Sequence, residues 1–160
     1  MTRIEDASIE EWKKLYDANF FSALALTKET IPHLRATEGR IVFVSSGAAT
    51  SAYTAWGAYG SSKAALNSLA RHVAVEEPRI ISVAVSPGRV DTDMQKELRE
   101  KGTAMSPKDY ETFKADFEEG RLVKPEQSGE VIAKLSVNAT LELSGKYFKW
   151  DALELAGYRE

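Results

Sequence analysis

Two short β-rich runs, Ile41-Val42-Phe43-Val44 and Ile80 to Val85, are separated by a helix-length segment, and the first carries β-branched and aromatic residues with no polar alternation. A strand of that first run's composition shows apolar side chains to both faces and has to be covered on both. Between the runs, Ala58 to Glu76 places Tyr59, Lys63, Leu66, Leu69 and Val73 at helical spacing, and Pro78 stops the helix before the second strand. Strand, helix, strand is one crossover unit of a parallel sheet, so the chain is expected to fold as an α/β layer.

Upstream, Ser8-x-x-Glu11 has the form of a capping box and opens a segment with apolar residues at Ile9, Trp12, Leu15, Tyr16, Phe20, Ala23 and Leu24. The spacing predicts one long helix running toward Pro32, with Arg35 to Gly39 as the polar connection to the first strand. After Pro87-Gly88, residues Asp93 to Lys101, Pro107 to Glu119 and Glu126 to Asn138 are expected to form three helices, and Gly145 to Trp150 a short final strand. No repeat, low-complexity tract or long linker divides residues 1–160, which are taken as a single domain. Three parallel strands are few, and one helix alone precedes the first of them.

The 160 residues hold 21 Lys and Arg against 24 Asp and Glu, a net charge of −3, with the two signs alternating along the chain. That distribution offers no basic face for nucleic acid. There is no Cys, and the histidines His33 and His72 stand far apart, so neither a disulfide framework nor a thiolate metal site is available. The apolar runs are too short for a membrane span, and Arg3, Glu5 and Asp6 stand where a secretory signal would differ. A reducing, cytoplasmic setting is the expectation.

Tyr59 and Lys63 are four apart on the expected helix, so their side chains share one face. A phenol with an ordinary pKa of about 10 is a poor proton donor at neutral pH, and a neighbouring ammonium helps by stabilising the phenolate. Ser46 follows the first strand, where its hydroxyl could hold a substrate oxygen over Tyr59. Spacing alone also fits a half-buried ring beside a snorkelling amine. Tyr53 and Trp56 lead into Tyr59 either as pocket walls for a flat substrate or as cover for the sheet edge.

In order along the chain, Asn19, Val44-Ser45-Ser46, Tyr59-Gly60-Ser61-Ser62-Lys63 and Pro87-Gly88-Arg89-Val90-Asp91-Thr92 resemble the short-chain dehydrogenase/reductase family. The resemblance implies the last three strands of a Rossmann-like, doubly wound parallel sheet, with Asn19, Ser46, Tyr59 and Lys63 as the catalytic set. It implies that Ser46 orients the substrate oxygen, Tyr59 exchanges its proton, Lys63 lowers the pKa of Tyr59 and holds the nicotinamide ribose, and Asn19 anchors a relay water. Pro87, Gly88, Val90 and Thr92, with Tyr59 and Lys63, would bind the cofactor; Ser46, Tyr53 and Trp56 would bind the substrate. The segments Trp12 to Ser22 and Ser51 to Lys63 are similar to a fungal, benzil-reductase-like branch related to sepiapterin reductase. That likeness implies NADP as cofactor, with NAD as the alternative, and a small carbonyl or alcohol such as an aromatic diketone as substrate. Family members dimerise through the helices matching residues 8–30 and 58–76, which implies a homo-oligomer.

No strand, Gly-rich turn and helix for a pyrophosphate precede these motifs, and none of the ten glycines forms a closely spaced array after a first strand. By the resemblance, the N-terminal dinucleotide-binding half, about four strands and on the order of one hundred residues, is missing before Met1. Cofactor affinity is then expected to fall severely. Two functions remain open: an NAD(P)-dependent carbonyl reductase of impaired activity, or a non-enzymatic remnant that associates with full-length relatives. A bared strand edge and an uncovered sheet face are expected to drive pairing with another chain.

Overall fold

Strands β1 (Arg40–Val44), β2 (Ile81–Ser86) and β3 (Tyr147–Lys149) pair in parallel in the order β1-β2-β3, in a computed structural model that describes residues 1–159. Val42 lies opposite Val83, Phe43 opposite Ala84, and Val85 opposite Phe148. Because side chains alternate across a strand, each apolar run serves two cores. Ile41, Phe43, Ala84 and Tyr147 meet Leu66, Leu69 and Ala70 of helix α3 (Gly57–Glu76) on one face. Val42, Ile81, Val83, Val85 and Phe148 meet Val131 and Leu135 of helix α6 (Pro125–Asn138) and Leu155 on the other. The fully buried Leu135, Leu155, Val131 and Val83 each stabilise the fold by about 1.5–3 kcal/mol through area removed from water.

Both faces of the sheet are therefore covered, which overturns the expected uncovered face: α6 and the 3-10 turn Leu153–Tyr158 supply the second layer. The expectation of a doubly buried strand attaches to Ile41–Val44, whereas the strand whose residues 82–86 are all buried is β2. The expectation fails for β1, a sheet edge in which Phe43 alone is buried and Val44 is 45% exposed.

The first long helix is interrupted. It runs as α1 (Ile9–Tyr16), a π-helical turn (Asp17–Phe21) and α2 (Ser22–Thr37). Ser8 caps α1 by accepting a bond from the Glu11 N–H at 3.4 Å, while the Glu11 carboxylate pairs with Lys14. Pro32 does not end the helix, and Arg35 to Thr37 belong to it rather than to a connecting stretch. The carbonyl that Pro32 cannot bond one turn earlier belongs to Lys28, an exposed residue of the helix. The helix stops where Glu38 adopts a left-handed conformation (φ 51°) and the Gly39 N–H bonds the Leu34 carbonyl at 2.8 Å.

Beyond β2, α4 (Asp93–Lys101), α5 (Pro107–Glu118) and α6 fall within a residue of their sequence-based bounds. An isolated parallel bridge between Val90 and Val123 ties the loop after β2 to the segment between α5 and α6. Among the described residues, no helix is long and apolar enough to cross a membrane.

Candidate active site

The C-terminal ends of β1 and β2 open into the crevice where sheets of this kind receive ligands. Out of β1, the chain passes through Ser45 and Ser46 into a 3-10 turn (Gly47–Ala49) that packs on the first turns of α3. Gly60 permits that approach, since a Cβ there would stand 2.8 Å from the Ala48 carbonyl oxygen. Tyr59 lies beside it on the first turn of α3, with Lys63 one turn further.

Lys63 Nζ donates to the carbonyl of Val44, the last residue of β1, at 2.9 Å and lies 5.8 Å from the Tyr59 ring centroid. Burial pushes the Lys63 ammonium below its ordinary value. Ser46 Oγ accepts from the Ala48 N–H at 3.2 Å, and its own hydrogen meets no acceptor among the described residues. Asn19 stands in the middle of the π-helical turn, and its Nδ2 donates to Ser62 Oγ at 3.1 Å. Ser62 in turn donates to the Tyr59 carbonyl at 2.7 Å. Lys63 is thus tied to the end of β1, and Asn19 is tethered to α3 through a residue not singled out in the sequence. Ser62 is fully buried. A second such residue is Asn67, whose Oδ1 accepts from the buried Ser45 hydroxyl at 2.6 Å. Helical spacing was the available signal, because Asn67 lies four residues after Lys63 on the same face.

Pro87 to Thr92 form the opposite lip. Gly88 has φ +82°, and a Cβ on it would stand 3.0 Å from both Trp150 Nε1 and Val123 Cγ2. Thr92 bonds back to the Val90 carbonyl at 3.2 Å and precedes α4. Tyr53 and Trp56 do line a cavity, of about 750 Å³, together with Ala48, Ser51 and Gly60, but Ser46, Tyr59 and Lys63 are not among its walls. Their rings also pack with Phe113 of α5, centroid to centroid 5.4 Å for Tyr53 and 5.2 Å for Trp56.

Helix α5 is strapped across the crevice by two carboxylates. Asp109 accepts from the Thr54 N–H at 2.9 Å and the Thr54 hydroxyl at 2.6 Å. Asp116 takes Arg89 at 2.5 Å and Arg121 at 2.8 Å, while Arg89 also donates to the Thr112 carbonyl at 2.9 Å. Thr54's two bonds hold the Asp109 carboxyl below the usual carboxylate range. At Asp116 burial works upward, yet the bonds from Arg121 and Arg89 leave the net shift downward. Groups depressed on folding contribute stability above their unfolded values, about 3.9, and lose it as pH falls through the lower folded ones. Hydrogen-exchange protection along α5 is therefore expected to stay flat from neutrality to about pH 5 and to drop below about pH 4. Asp109→Asn should shrink that drop; a wild-type profile with no step in the acid range would contradict the assignment.

Against known proteins, residues 1–103 match the model of the short chain dehydrogenase family. An uncharacterized oxidoreductase of Schizosaccharomyces pombe is 45% identical over 152 residues, covering 94% of this chain and 62% of that protein. The benzil reductase ((S)-benzoin forming) of Saccharomyces cerevisiae is 40% identical over 150 residues, covering 89% of this chain and 57% of its own length. The crystal structure of a short chain dehydrogenase/reductase from Saccharomyces cerevisiae superposes with a TM-score of 0.96 at 38% identity, over 99% of this chain and 64% of that one. The chain thus spans less than two thirds of the length of each. With the family model matched over residues 1–103 and these relatives at hand, the chain belongs to the short-chain dehydrogenase family.

Proposed function

We propose that this chain carries the proton-transfer machinery of a nicotinamide-dependent carbonyl reductase, and that its substrate is a small ketone of the aromatic diketone type. The observation that carries the reading is the Tyr59–Lys63 pair, with Lys63 hydrogen-bonded to the carbonyl of Val44, two residues before Ser46. The likeness to a benzil reductase supports the diketone.

The donor set fits one end of a nicotinamide dinucleotide. An ammonium has three N–H donors, and Lys63 uses one on Val44 among the described residues, leaving two for ribose hydroxyls. Tyr59 and the Pro87–Thr92 loop would flank the same ribose and its ring. For a pyrophosphate the chain offers no closely spaced glycine turn. When bound, the reduced nicotinamide supplies a hydride, the two electrons that turn a carbonyl into an alcohol. Ser46 donates its uncommitted hydroxyl hydrogen to the carbonyl oxygen and fixes its place. Tyr59 Oη gives that oxygen a proton as negative charge builds on it. The Lys63 ammonium stabilises the phenolate left behind, and Asn19, with its amide oxygen unpaired among the described residues, holds the water through which Tyr59 is reprotonated.

Titration of the 160-residue protein with NADPH, followed by nicotinamide fluorescence, tests the reading together with an assay for reduction of an aromatic diketone. Saturable binding with turnover is the expected result. A folded protein that binds no cofactor at millimolar concentration favours the second reading, a non-enzymatic chain that associates with full-length relatives.

A further inference from the structure

Four side chains from three separate segments stack in a row across the crevice. Arg89, between the loop glycine Gly88 and Val90, lays its guanidinium 3.9 Å from the Phe113 ring centroid. On α5, Phe113 stacks nearly parallel on Trp56, with centroids 5.2 Å apart and an interplanar angle of 23°. Trp56 then meets the Tyr59 ring edge-on at 5.4 Å and 89°. The row starts in the lip assigned to the nicotinamide and ends on the proton donor.

Two features separate this row from ordinary packing. Trp56 Nε1 is buried with no hydrogen-bond partner among the described residues, an arrangement that costs about 1–3 kcal/mol, so the indole is held in that plane at the expense of stability. Both ends of α5 are also fixed by charge-assisted bonds, Asp109 to Thr54 and Asp116 to Arg89. Thr54 lies two residues before Trp56 in the loop that leads into α3. Any shift of α5 therefore moves Phe113 and the Trp56 loop together.

We propose that Trp56 and Phe113 are positioning residues: an aromatic strut through which the clamped α5 sets the plane of the Tyr59 ring. The inference rests on Tyr59 being the proton donor, but its structural half can be read without turnover. A strut of this kind makes proton delivery depend on the seating of α5, and a substrate that lifts α5 turns the phenol away from its carbonyl. Selection between ketones then acts on kcat, through the tilt of Tyr59, as well as on binding.

The test follows the Tyr59 ring resonances of the intact protein by NMR, assigned by their loss in Tyr59→Phe. Rings of Trp and Phe shift neighbouring resonances according to distance and tilt. Trp56→Leu, Phe113→Leu and Asp109→Asn are all expected to displace them, with Asp109→Asn acting at a distance by loosening α5, seen as lost exchange protection. In an active preparation, Phe113→Leu and Asp109→Asn should lower kcat several-fold with cofactor affinity unchanged. If Asp109→Asn loosens α5 and leaves the Tyr59 resonances in place, or fails to loosen α5 at all, the strut is overturned. Wild type without turnover would remove the proton-donor role while the resonances still decide whether the strut exists. Should Phe113→Leu not fold, Asp109→Asn, a change at the half-buried first turn of α5, carries the decision by itself.

Discussion

Tyr59→Phe is expected to lower kcat for diketone reduction at least about a hundredfold, the usual worth of a positioned proton donor, with cofactor affinity changing less than about twofold. The substitution removes one oxygen and keeps the ring that packs edge-on against Trp56. Among the described residues, Tyr59 Oη makes no hydrogen bond, so its loss leaves no buried group unpaired. Thermal stability should therefore stay within about 0.5 kcal/mol of wild type, which separates a chemical loss from a folding loss. Turnover within a few-fold of wild type would mean that the proton reaches the substrate from elsewhere, and the roles assigned to Tyr59 and Lys63 would fall together.

Gly88→Val is expected to destabilise the fold by about 3 kcal/mol, from left-handed backbone strain of about 1–2 kcal/mol and an overpacking cost of similar size. The strain follows from φ +82°, and the overpacking from Trp150 Nε1 and Val123 Cγ2, each 3.0 Å from where a Cβ would stand. Neither neighbour yields easily. The Trp150 backbone N–H is bonded to the Ser86 carbonyl at 2.9 Å, and Val123 is bridged to Val90. At about 2–4 °C per kcal/mol for a chain of this size, the midpoint should drop on the order of 10 °C. Gly129 supplies a control of opposite sign: it sits inside α6 with nothing within 4 Å of where a Cβ would stand, and Gly129→Ala should stabilise by about 0.5–1 kcal/mol. A Gly88→Val midpoint equal to wild type would show that the loop is free to rearrange.

The strands, the three helices after β2 and the shared face of Tyr59 and Lys63 were legible because each depends on local pattern. Ile80 to Val85 is apolar but for Ser82 and supplies most of β2, a strand with both sides covered; Tyr59 and Lys63 share a face because four residues make about one turn. What escaped the sequence involves partners far along the chain or hydrogen-bond patterns without a residue signature. The π-helical turn at Asp17–Phe21 carries no Pro or Gly to announce it. Ile41 to Val44 has the same composition as a central strand, and its place at the edge is a fact of sheet order rather than of its own side chains. The covered second face depends on α6 and on Leu155, both beyond β2 in sequence. The two clamps on α5 link residues 55 and 27 positions apart, Thr54 to Asp109 and Arg89 to Asp116.

The Tyr147 hydroxyl donates to the Ser46 carbonyl at 3.3 Å across 101 residues of sequence. Few contacts here close a longer loop, and both strand pairings are non-local as well, so the entropy of closure must be met before the sheet returns any stabilisation. Folding is expected to run on the slow, millisecond-to-second side for a single domain, with the Ser46 backbone held on this side only once β3 docks. A nascent chain emerging from a ribosome would present Ser46 long before Tyr147 of β3 appeared. The backbone leaving β1 would therefore gain this tether late, by the order of synthesis itself.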